Sequence, residues 1–287
     1  MKMQSKPKKW EAYAKINLTL EVIGEREDGY HEIASIVQAI DLCDTLYFQS
    51  GEHIRLASNI PRLVTPNNLV FKAVKLMQDY TGSNRGADIS LQKCIPLASG
   101  LGGGSSDAAI ALRALNEIWE SNLSSENLQD VAANLGSDIF FFLKGGRTAL
   151  VEGRGDKVTF LPPLPKTWVV LLKPPIDIAN KTRKMYAGLA PSNFTRGQAT
   201  RRMLEPLYRR GKNVYSFCYN VFEDIAYDFF PGLEEYRRCF LAAGAGEVHL
   251  AGAGPTLFTI VEEKAQGEEI CHRLDKERKE VYLAQTL

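Results

Sequence analysis

A cluster of glycines in the first half of the chain most constrains its fold. Four of the five residues in Gly100–Gly104 are glycine, and Ser105 and Ser106 follow directly. The segment 87–92, which precedes the cluster, alternates apolar and polar residues like a strand; the segment 108–119 after it has the three- and four-residue apolar spacing of a helix. Because open backbone N–H groups at a helix start carry partial positive charge, this stretch predicts an anion site, most often one for phosphate.

The two common phosphate loops do not fit this cluster. A Walker loop ends in Gly-Lys-Ser/Thr, whereas Gly104 is followed by Ser105 with no lysine. The dinucleotide fingerprint needs a third glycine where Ser105 stands, which disfavours a dehydrogenase on a doubly wound sheet. The simpler alternative is a tight turn with Ser105 or Ser106 as helix cap. A cap needs one serine and not four glycines, so phosphate binding is the preferred interpretation.

Composition narrows the class of protein. The 287 residues are long enough for two domains, and 35 Lys and Arg against 34 Asp and Glu give no basic field for nucleic acid. The basic segments Lys6–Lys9 and Arg196–Lys212 are interpreted as solvated surface. Five cysteines without a Cys-x-x-Cys indicate a reducing compartment rather than disulfides or zinc. With no signal-peptide pattern and no apolar run near the roughly 20 residues of a membrane span, we expect a soluble, cytoplasmic protein.

Strand and helix patterns are mixed along the whole chain, which predicts the α+β class. A helix capped by Asn67 or Asn68 precedes the glycine cluster, and another is predicted over 214–227. Three prolines in Leu161–Pro165 rule out a helix or a central strand there. We therefore predict two domains, 1–162 and 163–287.

Two polar residues interrupt the apolar strand predicted over 10–23. Lys15 and Asn17 stand two residues apart, so their side chains point to the same face of the strand. That face is either an exposed surface or part of a functional site, and the alternation alone does not decide between them.

Three further polar residues stand at unusual places. Asp138 directly precedes five apolar residues, so its carboxylate is either a helix cap or a partly desolvated functional group. Tyr30 and His31 follow a polar turn, and such a pair reads a flat ligand by stacking and hydrogen bonding. A single histidine is more often structural, which leaves this pair weak when taken alone.

Together these segments resemble the GHMP kinases, the galactokinase, homoserine, mevalonate and phosphomevalonate kinases. The family's three motifs are similar to Ala14–Leu18, Pro96–Ala109 and Leu250–Thr256 of this chain. The resemblance implies a two-domain fold, with an N-terminal domain like ribosomal protein S5 domain 2 and a ferredoxin-like α/β sandwich at the C-terminus. It also implies an active site in the cleft between the domains. The segments Asp28–Ile33 and Leu135–Asp138 resemble the members that take a small cytidylyl substrate in the non-mevalonate isoprenoid pathway.

The resemblance implies an ATP-dependent kinase with an alcohol acceptor. Asp138 matches the catalytic carboxylate and Lys15 its partner, and Mg²⁺ accompanies ATP, with Ser106 a plausible contact and Asp107 a weaker one. The residues implied for ATP are Pro96, Gly100, Leu101, Gly102, Gly103, Gly104, Ser105 and Ser106 at the phosphates, and Asn67 or Asn68 near the adenine. The residues implied for the acceptor are Asn17, Tyr30, His31, Thr182 and Tyr186.

The chain departs from the family pattern at three places. Ile139-Phe140 replaces a Val-Pro pair, Lys181 replaces the serine of a Ser-Thr pair, and Ala253 replaces a common serine. The alternatives are a homoserine, mevalonate or sugar kinase of the same family, or a nucleotide-binding relative without catalysis. Whether the protein is a monomer or a homodimer stays open.

Overall fold

Two long strands dominate the first part of the chain. They are β1 (Lys8–Glu25) and β2 (His31–Gly51), which are neighbours in one sheet. The computed structural model describes residues 6–209, 214–277 and 279–287, and the chain divides into two compact units. Each unit takes one part of β1 and one part of β2, so the predicted strand over 10–23 is confirmed and belongs to both.

The first unit comprises the described part of Met1–Ala14, with Leu42–Leu97 and Gly102–Gly146. Its elements beyond β1 and β2 are β3 (Ile54–Ser58), α1 (Leu69–Thr81), β4 (Gly86–Gln92), α2 (Gly103–Ile118), α3 (Ser125–Ala132) and α4 (Ile139–Leu143). β4 pairs antiparallel with the second part of β2 and parallel with β3. The predicted cap of α1 is confirmed, because the Asn68 side chain accepts a hydrogen bond from the Val70 N–H.

The second unit comprises Lys15–Asp41, Ala98–Leu101 and the described part of Arg147–Leu287. Its further strands are β5 (Thr148–Gly153), β6 (Lys157–Phe160), β7 (Trp168–Lys173), β8 (Tyr219–Asn220), β9 (His249–Leu250), β10 (Leu257–Val261) and β11 (Glu280–Gln285). Its helices are α5 (Lys181–Ala187), α6 (Gln198–Tyr208), α7 (Glu223–Phe229), α8 (Leu233–Ala242) and α9 (Lys264–Lys276). β5 pairs antiparallel with the first part of β2. A separate antiparallel sheet has the order β11-β7-β10-β9, and it packs in an apolar core that contains Phe222, Phe230 and Phe240.

The helix predicted over 214–227 is wrong. This stretch forms a short 3-10 turn, then β8, then α7. β8 pairs parallel with Thr19 and Leu20 of β1, and the Asn220 side chain donates to the carbonyls of Leu250 and Gly252, each at 2.8 Å. These long-range bonds replace the local helix that the apolar spacing favoured.

No helix in the described ranges is long and apolar enough to cross a membrane. All five cysteines are free thiols, as the absence of a disulfide framework in the sequence predicts. Positions 210–212 of the basic segment Arg196–Lys212 lie outside the described residues.

Candidate active site

Parts of all three predicted motifs meet inside the second unit, around Lys15. The Lys15 backbone N–H donates to the Leu101 carbonyl at 2.9 Å, which joins the first motif to the glycine cluster. The Lys15 ammonium donates to Asn17 Oδ1 at 2.7 Å. A Cβ on Gly252 would lie 3.3 Å from Lys15 Nζ and 3.4 Å from Asn17 Oδ1, so the third motif packs against the same two side chains.

The polar face of β1 is buried rather than exposed. Lys15 is 5% exposed and Asn17 is 6% exposed, so the alternative of a solvated strand face is wrong. A buried ammonium requires polar partners, and the Asn17 amide oxygen supplies one of them. The burial favours a functional role for the pair, because Lys and Asn are costly residues for an ordinary core.

The glycine cluster is shaped by close backbone contacts in the second unit. Gly100 has a φ of 90°, and a Cβ there would lie 2.1 Å from the Ala251 carbonyl oxygen. Only glycine fits at this position, because a side chain would force apart the second and third motifs. Ala98 in the same segment has a φ of 52°, a left-handed conformation that is unusual for alanine.

The start of α2 in the first unit differs from the prediction. Gly102, with a φ of 73°, occupies the N-cap position, so Ser105 and Ser106 lie inside the helix and do not cap it. The earliest backbone N–H groups of a helix lack acceptors within it, and here they belong to the glycine–serine stretch. Gly104 is exposed, and a Cβ there would meet only Leu69 Cδ1 at 3.5 Å, an ordinary contact. The fold therefore gives no reason for glycine at this position.

A buried cluster of charged residues in the first unit lies at the N-terminal end of α2. Lys93, just before the loop, contacts Asp44 of β2 and donates to Asp107 of α2 at 2.8 Å. Asp44 also accepts the backbone N–H groups of Cys94 and Ile95, at 2.6 and 2.8 Å. The cluster thus joins the segment entering the glycine stretch to the helix leaving it. No pattern in the sequence marks Lys93 or Asp44 as a site residue.

The charge cluster holds two carboxylates against one ammonium. Burial, together with the nearby Asp44, raises the pKa of Asp107 to about 8, although Lys93 opposes this shift. Burial alone would lower the pKa of Lys93, but Asp107 and Asp44 outweigh it and raise that pKa. Among the described residues Asp107 Oδ1 has no hydrogen-bond partner. Asp107 is therefore a buried partner of Lys93.

The two asparagines proposed for adenine have different surroundings. Asn68 is occupied structurally: its Oδ1 accepts from Val70 N–H and its Nδ2 donates to the Leu63 carbonyl, both at 2.9 Å. Asn67 is exposed beside it, and its backbone N–H donates to Thr65 Oγ1. Asn67 thus has the more accessible side chain of the two. Pro96 lies in the same unit, in the connection from β4 to α2.

An aromatic cluster surrounds His31 in the second unit. The His31 and Tyr186 rings have centroids 5.0 Å apart, and Phe194 packs edge-on to His31 at 6.1 Å. Thr182 is exposed on α5, one helical turn before Tyr186. Tyr30 is 54% exposed, with the Arg154 guanidinium 5.4 Å from its ring centre. Phe194 was not predicted, since an isolated aromatic in a loop carries no pattern.

Asp138 stands at the N-terminal end of α4 in the first unit. It occupies the N-cap position, but its side chain makes no capping hydrogen bond to that helix. The helix-cap interpretation of Asp138 is therefore wrong. The five residues after it are all buried, but Asp138 itself is exposed, so the structure does not show a partly desolvated carboxylate at this position either.

Family models match two stretches of the chain. The model of the GHMP kinases N terminal domain matches residues 68–146, and that of the GHMP kinases C terminal domain matches 203–280. The chain belongs to the GHMP kinase family and is an ATP-dependent phosphotransferase of the α+β class. Neither match covers the stretch around 162, so the division into 1–162 and 163–287 stays a prediction.

The individual proteins to which this chain is similar are small-molecule kinases. A 4-diphosphocytidyl-2-C-methyl-D-erythritol kinase of Dehalococcoides mccartyi is 45% identical over 277 residues, covering 96% of this chain and 97% of the relative. A crystal structure of 4-(cytidine 5'-diphospho)-2C-methyl-D-erythritol kinase is 31% identical, with a TM-score of 0.81 and coverage of 97% and 98%. A homoserine kinase structure from Cytophaga hutchinsonii is 16% identical, with a TM-score of 0.69 and coverage of 100% and 97%. The last likeness shows the shared fold alone.

Proposed function

We propose that this enzyme transfers the γ-phosphoryl group of ATP to the 2-hydroxyl of 4-diphosphocytidyl-2-C-methyl-D-erythritol, in the non-mevalonate isoprenoid pathway. The observation that carries the proposal is the meeting of the three motifs at Lys15 within the second unit. The names of the relatives at 45% and 31% identity favour this acceptor over other alcohols. The free thiols fit a reducing compartment, and we place the enzyme in the cytoplasm.

The catalytic roles follow from the chemistry of phosphoryl transfer. Such transfer is in-line and loose, so positioning and charge stabilisation supply most of the acceleration. In the proposal Asp138 accepts or orients the proton of the attacking hydroxyl. The Lys15 ammonium offsets negative charge on the moving phosphoryl group, and Asn17 contacts the acceptor.

The start of α2 supplies the phosphate site. The backbone N–H groups of Gly103, Gly104 and Ser105 stand at the positive end of a 16-residue helix, which suits anionic oxygens. Mg²⁺ bound to ATP would neutralise phosphate charge, and a serine hydroxyl is a fitting oxygen ligand for it. Ser106 is 2% exposed whereas Ser105 is partly exposed, so Ser105 is the hydroxyl that a bound phosphate or its metal meets first. Asn67 is the residue we place near the adenine.

The aromatic cluster supplies the site for the cytidylyl group. His31 is proposed to hydrogen-bond the cytosine edge, with Tyr186 and Thr182 on the other side of the base. A flat base stacks on such rings, and the imidazole supplies both a donor and an acceptor. Tyr30 packs on the nucleotide from the exposed turn.

One assay tests the proposal. Coupled detection of ADP release compares 4-diphosphocytidyl-2-C-methyl-D-erythritol with homoserine, mevalonate and a sugar, each at saturating ATP. Among these acceptors, we expect ADP release only with the cytidylyl substrate. ³¹P NMR of the product identifies the phosphorylated hydroxyl. Turnover with homoserine or mevalonate instead would overturn the assignment of the acceptor. ATP binding without turnover on any substrate would instead indicate a non-catalytic relative.

A further inference from the structure

A continuous line of buried polar side chains runs along one face of β1. Its members alternate along the strand, which places them on the same side of the sheet. They are Lys15, Asn17, Thr19 and Glu21, at 5%, 6%, 0% and 0% exposure. All belong to the second unit, and the proposed function uses only the first two.

Ser35, on the neighbouring β2, determines which way the Asn17 amide faces. Its hydroxyl donates to the Thr19 carbonyl oxygen at 2.5 Å, which uses its single proton. Toward Asn17, 2.8 Å away, the Ser35 oxygen therefore acts only as an acceptor, so the Asn17 NH₂ group must face it. The amide oxygen is then left on the opposite side, 2.7 Å from the Lys15 ammonium.

We propose that Ser35 is a positioning residue that holds Lys15 through the orientation of the Asn17 amide. With the amide reversed, its NH₂ group would point at the ammonium, two donors would oppose each other, and Lys15 would lose this contact. Ser35 is itself fully buried, so no water replaces its hydroxyl without a rearrangement. The role of Lys15 in this inference rests on the proposed function. The hydrogen bonds that orient the Asn17 amide do not depend on it.

A second set of bonds fixes the strand pair behind Ser35. The Thr19 hydroxyl accepts from the Ile36 N–H at 2.8 Å and lies 2.9 Å from the Thr200 hydroxyl. Thr200 donates in turn to the Ala34 carbonyl at 3.3 Å. Because each hydroxyl has one proton, the Thr19 hydroxyl donates to Thr200 Oγ1 and the Thr200 hydroxyl donates to the Ala34 carbonyl.

The far end of the line is anchored by a carboxylate. Glu21 accepts the backbone N–H groups of Ala199 and Thr200, at 3.2 and 2.7 Å, in the first turn of α6. The N-cap residue of α6 is Gly197, which has no side chain to do this, so Glu21 replaces the missing cap. Helix α6 is thereby fixed to β1, and Thr200 is fixed with it. Ala34 and Ile36, the two neighbours of Ser35 in β2, are therefore hydrogen-bonded to Thr200 and Thr19.

The activity test compares two deletions of a buried hydroxyl. Ser35→Ala removes the group that orients Asn17. Thr259→Val is the matched control, since Thr259 is 1% exposed in β10 and its hydroxyl has no partner among the described residues. For Ser35→Ala we expect kcat to fall about tenfold while KM for ATP and for the cytidylyl substrate changes less than about twofold. Thr259→Val keeps the wild-type kcat. Unchanged kcat in folded Ser35→Ala, or an equal loss in Thr259→Val, would overturn the proposal.

A second measurement needs no catalysis and no variant at Ser35. In ¹⁵N-labelled wild-type protein, the side-chain NH₂ signals of Asn17 are assigned by their loss in Asn17→Asp. The hydrogen bond to Ser35 predicts slow exchange of one of these protons with water, while an Asn17 NH₂ that exchanges like an exposed asparagine would contradict it. If none of the tested substrates is phosphorylated, the proposed function fails. The exchange measurement then still tests whether the Asn17 amide is oriented by Ser35.

Discussion

His31 packs against two neighbouring aromatic rings. Its ring lies 5.0 Å from that of Tyr186 and 6.1 Å from that of Phe194, and these contacts fix its plane for a flat ligand. We expect His31→Ala to raise KM for the cytidylyl substrate about tenfold and to leave KM for ATP nearly unchanged. Steady-state kinetics with each substrate varied in turn measure this split. An equal rise in both constants would mean that His31 only supports the fold.

Asp138 is proposed to take part in the chemical step and not in the binding of ATP. Because its side chain does not cap α4, Asp138→Asn removes a charge without removing a capping bond from that helix. We expect kcat to fall by roughly 10²–10⁴, the usual contribution of a positioned acid or base, with ATP binding retained. Single-turnover kinetics measure the chemical step and calorimetry measures ATP affinity. Near-normal turnover would exclude Asp138 as the proton acceptor.

At the scale of elements, Gly104 in α2 offers a test of the phosphate site that folding does not confuse. A Cβ there meets only Leu69 at 3.5 Å, and alanine is favoured over glycine in helices. We therefore expect Gly104→Ala to keep or raise stability, by up to about 1 kcal/mol, in urea unfolding. Since the new methyl group stands among the N–H groups proposed to bind phosphate, KM for ATP should rise about tenfold. An unchanged KM would place the phosphates elsewhere.

Elements marked by local signals were predictable, and those made by distant contacts were not. The start of α1 is marked in the sequence by its N-cap residue Asn68, and in the structure the helix ends at Gly82 with a φ of 64°. β8 exists because Asn220 bonds two carbonyls of a segment about 30 residues later, which no local pattern records. Lys93 was missed for the same reason. Thr45 pairs with Gln92, and this register places Asp44 opposite Lys93, but it is known only from the fold.

At the scale of the whole chain, the residues predicted for the site are divided between the two units. The glycine cluster belongs partly to each unit: Ala98–Leu101 to the second, and Gly102 onward to the first. The resemblance predicted a set of site residues from motif spacing, and the roles of these residues stay predictions. It did not predict the polar line behind Lys15, since Thr19, Glu21 and Thr200 have no motif and meet only through β1, β2 and α6.

The stability of the molecule should depend on pH through Asp107. Its pKa rises from an ordinary 3.8 to about 8 on folding, so the folded protein binds this proton more tightly than the unfolded chain. The stabilisation is complete below pH 3.8 and is lost as the pH rises through about 8. The pKa of Lys93 is raised as well, and that contribution is lost only at higher pH, above its ordinary 10.5.

Urea unfolding from pH 5 to pH 8.5 isolates this group when wild type is compared with Asp107→Asn, which cannot titrate there. Between pH 5 and pH 7 the free energy of unfolding of wild type should fall relative to the variant, by at most about 1.4 kcal/mol per pH unit. Because the cluster joins both sides of the glycine stretch, KM for ATP should rise over the same interval in wild type. A difference between the two proteins that stays constant with pH would mean that Asp107 is already ionised at pH 5, with Lys93 neutralising it.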